Sequence, residues 1–199
     1  MLTNLPVFVT IIIYIAAAIL PALFLMRYIY RKDTVEKEPA GMLISLVFLG
    51  VAAALIAILL ESFGKGVLSA FLVEGTPAYT IVMAFLVVAV AEEGAKFFFL
   101  KRRTWKDPNY NYRFDGIVYS VFLSLGFAAF ENISYVMGYG LTTALLRAVL
   151  AIPGHMGFAV FMGLFYGRAK LCADQGDVRG RKRNLWAAYL SAVVLHGFY

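Results

Sequence analysis

The sequence predicts an all-α fold: a polytopic bundle of about six transmembrane helices, with short helices at the membrane surface. Of the 199 residues, 62% are apolar and only 15% are charged, against about 25% charged in a typical soluble domain. The mean hydropathy is +0.79. These values exclude a soluble enzyme and a disordered chain. Cys172 is the only cysteine, so a disulfide-stapled fold is excluded as well.

Six apolar runs follow one another, and we expect each of them to form one span, which takes roughly 20 residues. They cover about residues 5–26, 42–60, 79–100, 117–139, 141–167 and the stretch from about 186 onwards. Pro153 in the fifth run predicts a kink there or a short surface helix before it. Residues 1–199 are expected to form one membrane domain. The sixth run is short for a full span, so we expect either a shorter last helix or a last helix that continues beyond Tyr199.

Lys and Arg residues occur almost entirely in three loops, at about 27–37, 101–113 and 168–183. Loops rich in Lys and Arg lie on the cytoplasmic side, so we expect all three loops inside and both termini outside. No Lys or Arg precedes the first run, which is therefore interpreted as a retained helix rather than a signal peptide. The basic loops predict contact with anionic lipids. Nucleic-acid binding would need a basic face with side chains that read a groove, and the sequence shows no such pattern.

Ionisable or amide side chains lie inside four of the predicted spans, where polar groups are costly and are candidates for function. They are Glu92, Glu93 and Lys96 in the third run, Glu131 and Asn132 in the fourth, His155 in the fifth and His196 in the sixth. At a rise of about 1.5 Å per residue, the acids and imidazoles fall at similar depths. We therefore expect them to face one common interior or water-filled cavity.

The spacing in the third run predicts an ion pair. Glu92 and Lys96 are four residues apart, and Glu93 and Lys96 are three apart, so either carboxylate can reach the lysine on one helix face. We expect Lys96 to neutralise one glutamate while the other stays free to act as a general base.

Two other polar residues are given structural roles. Arg147 is expected near the outer interface, with its guanidinium reaching the lipid headgroups. Asp115 is expected to cap the fourth spanning helix at the cytoplasmic interface.

Missing motifs narrow the chemistry. Met156 and Gly157 follow His155, so the His-Glu-x-x-His helix of zinc proteases is absent. The sequence also lacks a serine nucleophile elbow and a phosphate-binding glycine loop. Three functions stay open: a glutamate-activated water that attacks an amide, a divalent metal such as zinc that activates the water, or a proton or cation pathway. Glu131, His155 and His196 are the candidate metal ligands.

Four motifs carry a resemblance to a known family. They are Glu92-Glu93-Gly94-Ala95-Lys96, which matches Glu-Glu-x-x-Lys, then Phe127 to Glu131 with Asn132, which matches Phe-x-x-x-Glu, and finally His155 and His196 at the histidine positions of the third and fourth motifs. The chain resembles the PrsW proteases, relatives of the CAAX-protease and bacteriocin-immunity superfamily, over residues 31–199.

The resemblance implies a protease in the bacterial cytoplasmic membrane that makes the first cut in a single-pass anti-sigma factor during envelope stress. It implies that Glu92, Glu93 and a motif histidine carry catalysis. We expect Lys96 to tune the glutamate pair, and Glu131, His155 and His196 to position water or stabilise the oxyanion, with help from Asn132. Glutamic and metal-dependent mechanisms both stay open. The alternative is a proton- or cation-coupled transporter or channel.

Overall fold

The computed structural model describes residues 6–199, and most of them are helical. The helices are α1 (Val7–Lys32), α2 (Ala40–Ser69), α3 (Pro77–Val82), α4 (Val90–Thr104), α5 (Asp115–Tyr139), α6 (Leu141–Val149), α7 (Ala151–Asp174) and α8 (Val178–Phe198). A π-helical segment, Met83–Ala89, joins α3 to α4 in one continuous helix. No strand occurs in this part of the chain, and the all-α prediction is confirmed. The predicted start of the first run, Leu5, lies outside the described residues.

Four helical stretches are long and apolar enough to cross a membrane. They are Val7–Lys32, Ala40–Ser69, Asp115–Tyr139 and Leu141–Asp174. They coincide with the first, second, fourth and fifth predicted runs. The continuous helix 77–104 and α8 are not among them. The π-helical segment divides the first of these into short α-helical pieces, and α8 begins with four Lys and Arg residues in its first six positions. The total of about six spans therefore stays a prediction.

The second and fifth runs differ in detail from the prediction. α2 continues through Glu61 to Ser69, whereas the sequence predicts residues 61–78 as a connecting segment outside the membrane.

The fifth run is divided at Leu150, between α6 and α7. Pro153 lies in the first turn of α7, where its missing N–H interrupts no helical hydrogen bond. The predicted short helix before the span is thus present, and it ends before Pro153 rather than at it.

α8 begins at Val178, well before the predicted start near Trp186. The Asp177 side chain caps it by accepting a hydrogen bond of 2.8 Å from the Gly180 N–H. The basic residues at 179–183 therefore form the first turns of a helix instead of a loop. Lys and Arg are good helix formers, and counting only apolar residues placed the boundary too late.

Asp115 also differs from its predicted role. Phe114 occupies the N-cap position of α5 and Asp115 is the first helical residue. Its Oδ2 atom accepts hydrogen bonds from the backbone N–H groups of Asn111 (3.0 Å) and Tyr112 (2.7 Å). Asp115 therefore stabilises the turn before α5 rather than capping the helix.

α5 packs against α1, α2 and α7, and glycines allow two of these helices to approach it closely. A Cβ atom at Gly50 of α2 would collide with the carbonyl oxygen of Leu123, and one at Gly126 of α5 would collide with the α2 backbone. On the other side, a Cβ atom at Gly116 would lie 2.8 Å from the carbonyl oxygen of Gly163 in α7. Small residues at such crossings are typical of membrane helices. They hold α2, α5 and α7 together as one frame.

Candidate active site

Glu92, Glu93 and Lys96 form a buried ionic cluster on α4. The Lys96 ammonium donates to Glu92 Oε2 at 3.0 Å and to Glu93 Oε1 at 2.8 Å. Glu92 is only 4% exposed, and Glu93 and Lys96 are 1% exposed. The expectation that one carboxylate stays free of the lysine is wrong, because the Lys96 ammonium binds Glu92 and Glu93 at the same time.

His155 on α7 connects this cluster to Glu131 on α5. His155 Nδ1 lies 3.2 Å from Lys96 Nζ, and Nε2 lies 3.1 Å from Glu131 Oε2. The Ser124 hydroxyl donates to the His155 carbonyl oxygen at 3.1 Å, which ties the α7 backbone to α5 at this point. The imidazole is therefore held at both nitrogens and through its backbone.

His196 on α8 joins the cluster from another side. Its Nδ1 atom lies 2.9 Å from Glu93 Oε1 and 3.9 Å from Glu92 Oε2. The ring stacks on Phe158, with 5.0 Å between centroids, and meets the His155 ring edge-on at 5.5 Å. Helices α4, α5, α7 and α8 thus bring their acids and imidazoles into one connected group, although the roles of these residues in catalysis stay a prediction.

Arg147 on α6 is bonded into this group, and the expectation that it reaches the lipid headgroups is wrong. One guanidinium nitrogen donates to Glu131 Oε2 at 2.6 Å. The guanidinium also lies over the Tyr135 ring, 3.9 Å from its centroid. The break at Leu150 lets α6 pack beside α5, and this brings Arg147 to Glu131.

Asn132 lies one contact away from the Glu–His group. Its Oδ1 atom accepts a hydrogen bond of 3.1 Å from Arg147 Nε, and its Nδ2 atom donates to the Ala18 carbonyl oxygen of α1 at 3.0 Å. Asn132 is fully buried. It holds Arg147 in place and links α1 to the site rather than facing Glu92 or Glu93.

The charges of the group do not cancel. Glu92, Glu93 and Glu131 supply three carboxylates against the two cations of Lys96 and Arg147. Glu93 Oε2 is buried and has no hydrogen-bond partner within residues 6–199. A buried acceptor without a partner is unfavourable. With neutral imidazoles, the group therefore has the capacity to bind a further cation.

Four residues fit the donor set for a divalent metal. Glu92, Glu93, His155 and His196 each offer one ligand atom, and these atoms lie within 4.8 Å of one another. Carboxylates and imidazoles are ligands of zinc. Glu131 is an expected ligand but lies outside this group. Its carboxylate accepts a hydrogen bond from His155 Nε2 instead. In many metal sites a carboxylate orients a ligating histidine in this way.

Two cavities adjoin the cluster. One of about 220 Å³ lies between α2, α4 and α5 and is lined by Glu61, Glu92 and Glu131. The other, of about 470 Å³, is lined by residues of the helix 77–104 and by His196. Glu93 lines neither of these two cavities. Glu92 is therefore the carboxylate of the pair that a substrate entering the smaller cavity can approach.

The family model described as PrsW family intramembrane metalloprotease matches residues 38–199. The chain belongs to the PrsW family. Proteins named Protease PrsW from Geobacillus kaustophilus and Bacillus subtilis are 36% and 35% identical over 185 and 188 residues. Each match covers 93% of this chain, with 77% and 80% of the respective relative. The Protease PrsW of Clostridioides difficile is 36% identical over 92% of this chain and 75% of its own length. No solved structure matches.

Membership of the PrsW family confirms the resemblance and shows that the chain is a protease of the membrane. The description of the family as metalloproteases agrees with the group formed by Glu92, Glu93, His155 and His196. The transporter alternative finds no support among these relatives.

Sequence reasoning missed two residues near the cluster, Arg147 as a partner of Glu131 and Glu61 as part of the cavity wall. Arg147 and Glu131 lie on different helices, so no helical spacing connects them. Glu61 follows an apolar run, a position that predicts the start of a connecting segment. Its position four residues after Ala57 places both on one face of α2, and this was the available signal.

Proposed function

We propose that this intramembrane protease makes the first cut in a single-pass membrane protein of the anti-sigma-factor type, in envelope-stress signalling. The observation that supports it most is the buried group of Glu92, Glu93, His155 and His196 beside a cavity. The membership of a protease family and the residue types of this group both support hydrolysis of a peptide bond. The substrate class rests on the resemblance to the family.

In the proposed mechanism Glu92 is the general base, because its carboxylate lines the 220 Å³ cavity. Glu92 takes a proton from the water that attacks the scissile carbonyl and passes it to the leaving nitrogen as the C–N bond breaks. Lys96 holds the Glu92 carboxylate in position through its hydrogen bond of 3.0 Å. The positive charge of Lys96 also stabilises the negative charge that develops on the carbonyl oxygen.

We infer that a divalent metal, with zinc favoured by the donor types, is held by Glu93, His155 and His196. Two histidines and one glutamate form a ligand set of catalytic zinc sites, and Glu92 stays available as the base. When bound, the metal polarises a carbonyl and makes a water molecule more acidic. Lys96 Nζ donates a hydrogen bond to His155 Nδ1, so a metal bound at this nitrogen would replace that hydrogen bond.

We infer six spans, with helix 77–104 and α8 as the third and sixth, both termini outside, and a location in the bacterial cytoplasmic membrane. Lys96 pairs with Glu92 and Glu93 inside the bundle, which keeps these three charges of α4 away from lipid. The basic loops meet at one end of the bundle: Asn111 donates to Glu36 at 3.0 Å, and Lys170 lies over the Tyr110 ring. This clustering supports a cytoplasmic face in contact with anionic lipids.

The test is cleavage of a co-reconstituted single-pass substrate by the wild type, Glu92→Gln and Glu93→Gln at matched amounts of folded protein. We expect both variants to lose cleavage. Glu36→Gln, in an exposed loop at the opposite end, is the control and should cleave like the wild type. Equal cleavage by Glu92→Gln and the wild type would remove Glu92 from the mechanism.

A further inference from the structure

The 220 Å³ cavity beside Glu92 has a third carboxylate in its wall, Glu61 of α2. Glu92 is paired with Lys96, and Glu131 is paired with Arg147. Glu61 is only partly buried, and among the described residues no Lys, Arg or His nitrogen lies within 4 Å of its carboxylate. Its charge is therefore available to a group that enters the cavity.

The rest of the cavity wall is mainly apolar. Ala54 and Ala57 of α2 face Phe127 and Phe130 of α5, and Tyr135 lies further along α5. Both alanines are buried in one cluster with Phe127 and line the cavity with their methyl groups. An apolar wall that leads to a carboxylate suits the aliphatic stem of Lys or Arg, whose cationic end then reaches the carboxylate.

We propose that Glu61 is a specificity-determining residue that binds a Lys or Arg side chain of the substrate next to the scissile bond. The inference rests on the proposed cleavage at Glu92, since the same cavity serves both residues. The substrate chemistry it names is a single-pass protein with a basic residue beside the cut.

The position of Glu61 along α2 makes this recognition selective. Glu61 lies about 30 Å along the helix from Ala40, at the end remote from the basic loops. In the proposed orientation this is the outer side of the membrane, where Lys and Arg are scarce in short segments. A basic residue close to the outer surface therefore distinguishes a substrate from most other single-pass proteins.

The experiment uses reporter substrates built on the single-pass protein that the wild type cleaves. Each residue flanking the mapped cut is changed in turn to Lys, Gln or Glu, and the ratio of KM values between Lys and Gln reporters is measured. We expect a wild-type ratio of about fivefold in favour of Lys at one position, as for a partly exposed ion pair of about 1 kcal/mol. In Glu61→Gln the ratio should fall to about one, and Glu61→Lys should favour the Glu reporter. Glu36→Gln is the matched control and should keep the wild-type ratio.

Three outcomes would overturn the proposal. The first is a wild type that cleaves Lys and Gln reporters equally at every position. The second is a preference for Lys that survives in Glu61→Gln. The third is loss of cleavage of every reporter by Glu61→Gln, which would assign Glu61 to folding or catalysis. If the wild type cleaves no single-pass protein, the proposed function fails first, and this inference fails with it.

Discussion

His155 Nδ1 accepts a hydrogen bond from Lys96. The two nitrogen atoms are 3.2 Å apart, and a charged ammonium can only donate. His155 Nε2 therefore carries the ring hydrogen and donates it to Glu131 at 3.1 Å. A lysine on α4 thus selects the tautomer of a histidine on α7, and a carboxylate on α5 fixes the orientation of its ring.

Loss of the acceptor for His155 Nε2 should reduce cleavage. In Glu131→Ala the ring loses its orienting carboxylate, and we expect the rate to fall about 10- to 100-fold, as for other carboxylates behind a functional histidine. Glu131→Gln keeps a neutral acceptor and should lose less. The measurement is kcat and KM on a reconstituted substrate. Wild-type values in both variants would show that the orientation of His155 does not matter.

Arg147 should stabilise the fold through its partly buried pairing with Glu131. Arg147→Met leaves the carboxylate without its cation, and we expect a loss of about 1 to 3 kcal/mol in the free energy of unfolding. Arg147→Lys keeps the charge but cannot bind Glu131 and Asn132 with the same fork, so its loss should be intermediate. Unfolding in detergent measures the order. If Arg147→Met and the wild type unfold at the same temperature, the ion pair contributes nothing measurable to stability.

Lys96 should matter most for stability when both glutamates are present. Lys96→Met leaves Glu92 and Glu93 buried side by side, and we expect a loss of about 3 to 5 kcal/mol in the free energy of unfolding. The double variant Lys96→Met/Glu92→Gln removes one of the two charges and should recover part of this loss. A double variant less stable than Lys96→Met would contradict this electrostatic explanation.

A bound divalent metal should depend on both histidines. We expect metal analysis of the purified wild type to find about one equivalent of a divalent ion per chain. His155→Ala and His196→Ala should each lose most of it, and dialysis against a chelator should abolish cleavage until the metal is restored. A full equivalent of metal in the purified His196→Ala variant would exclude His196 as a ligand.

The protein should lose stability as the pH rises from about 5 to 8, because of Glu38. Glu38 lies between α1 and α2 and is buried, and burial together with the carboxylates of Asp115 and Asp33 raises its pKa from 4.5 to about 7. The hydrogen bond from Tyr119 opposes this shift. Because the folded state holds the proton more tightly than the unfolded state, this stabilisation is fully present below pH 4.5 and disappears as the pH passes 7.

Glu38→Gln tests this dependence, because the amide stays neutral and can still accept the hydrogen bond from Tyr119. The melting temperature of the variant should fall less between pH 5 and pH 8 than that of the wild type. Glu36→Gln, on the exposed neighbour, should keep the wild-type slope. If the melting temperatures of Glu38→Gln and the wild type fall equally with pH, the pH dependence belongs to another group.

The sequence predicted what depends on local pattern. Runs of apolar residues located α1, α2, α5 and α7, and the spacing of Glu92, Glu93 and Lys96 located the ion pairs, because both follow from helix geometry. The shared depth of Glu131, His155 and His196 also follows from a fixed rise per residue.

Contacts between distant segments could not be predicted in this way. Arg147 reaches Glu131 only because the chain breaks at Leu150, and no periodicity in the sequence encodes the direction in which α6 then runs. The start of α8 at Val178 was missed for a different reason, since its first turns are charged and gave no apolar signal. For Glu61 the sequence predicts a connecting segment, because a charged residue at the end of an apolar run is typical of a helix end, whereas α2 continues to Ser69.

The close crossing of α2 and α5 at Gly50 and Gly126 has a mechanical consequence. It pins α2 at one level, while Glu61 lies about 16 Å further along the same helix. α2 can therefore act as a lever with its fulcrum at Gly50. A tilt of about 10° moves Glu61 sideways by about 3 Å over that length, more than half of the spacing between neighbouring extended chains. A small hinge angle at a fixed crossing therefore changes the width of the cavity beside Glu92, while α5 and α7 keep His155 and Glu131 in register.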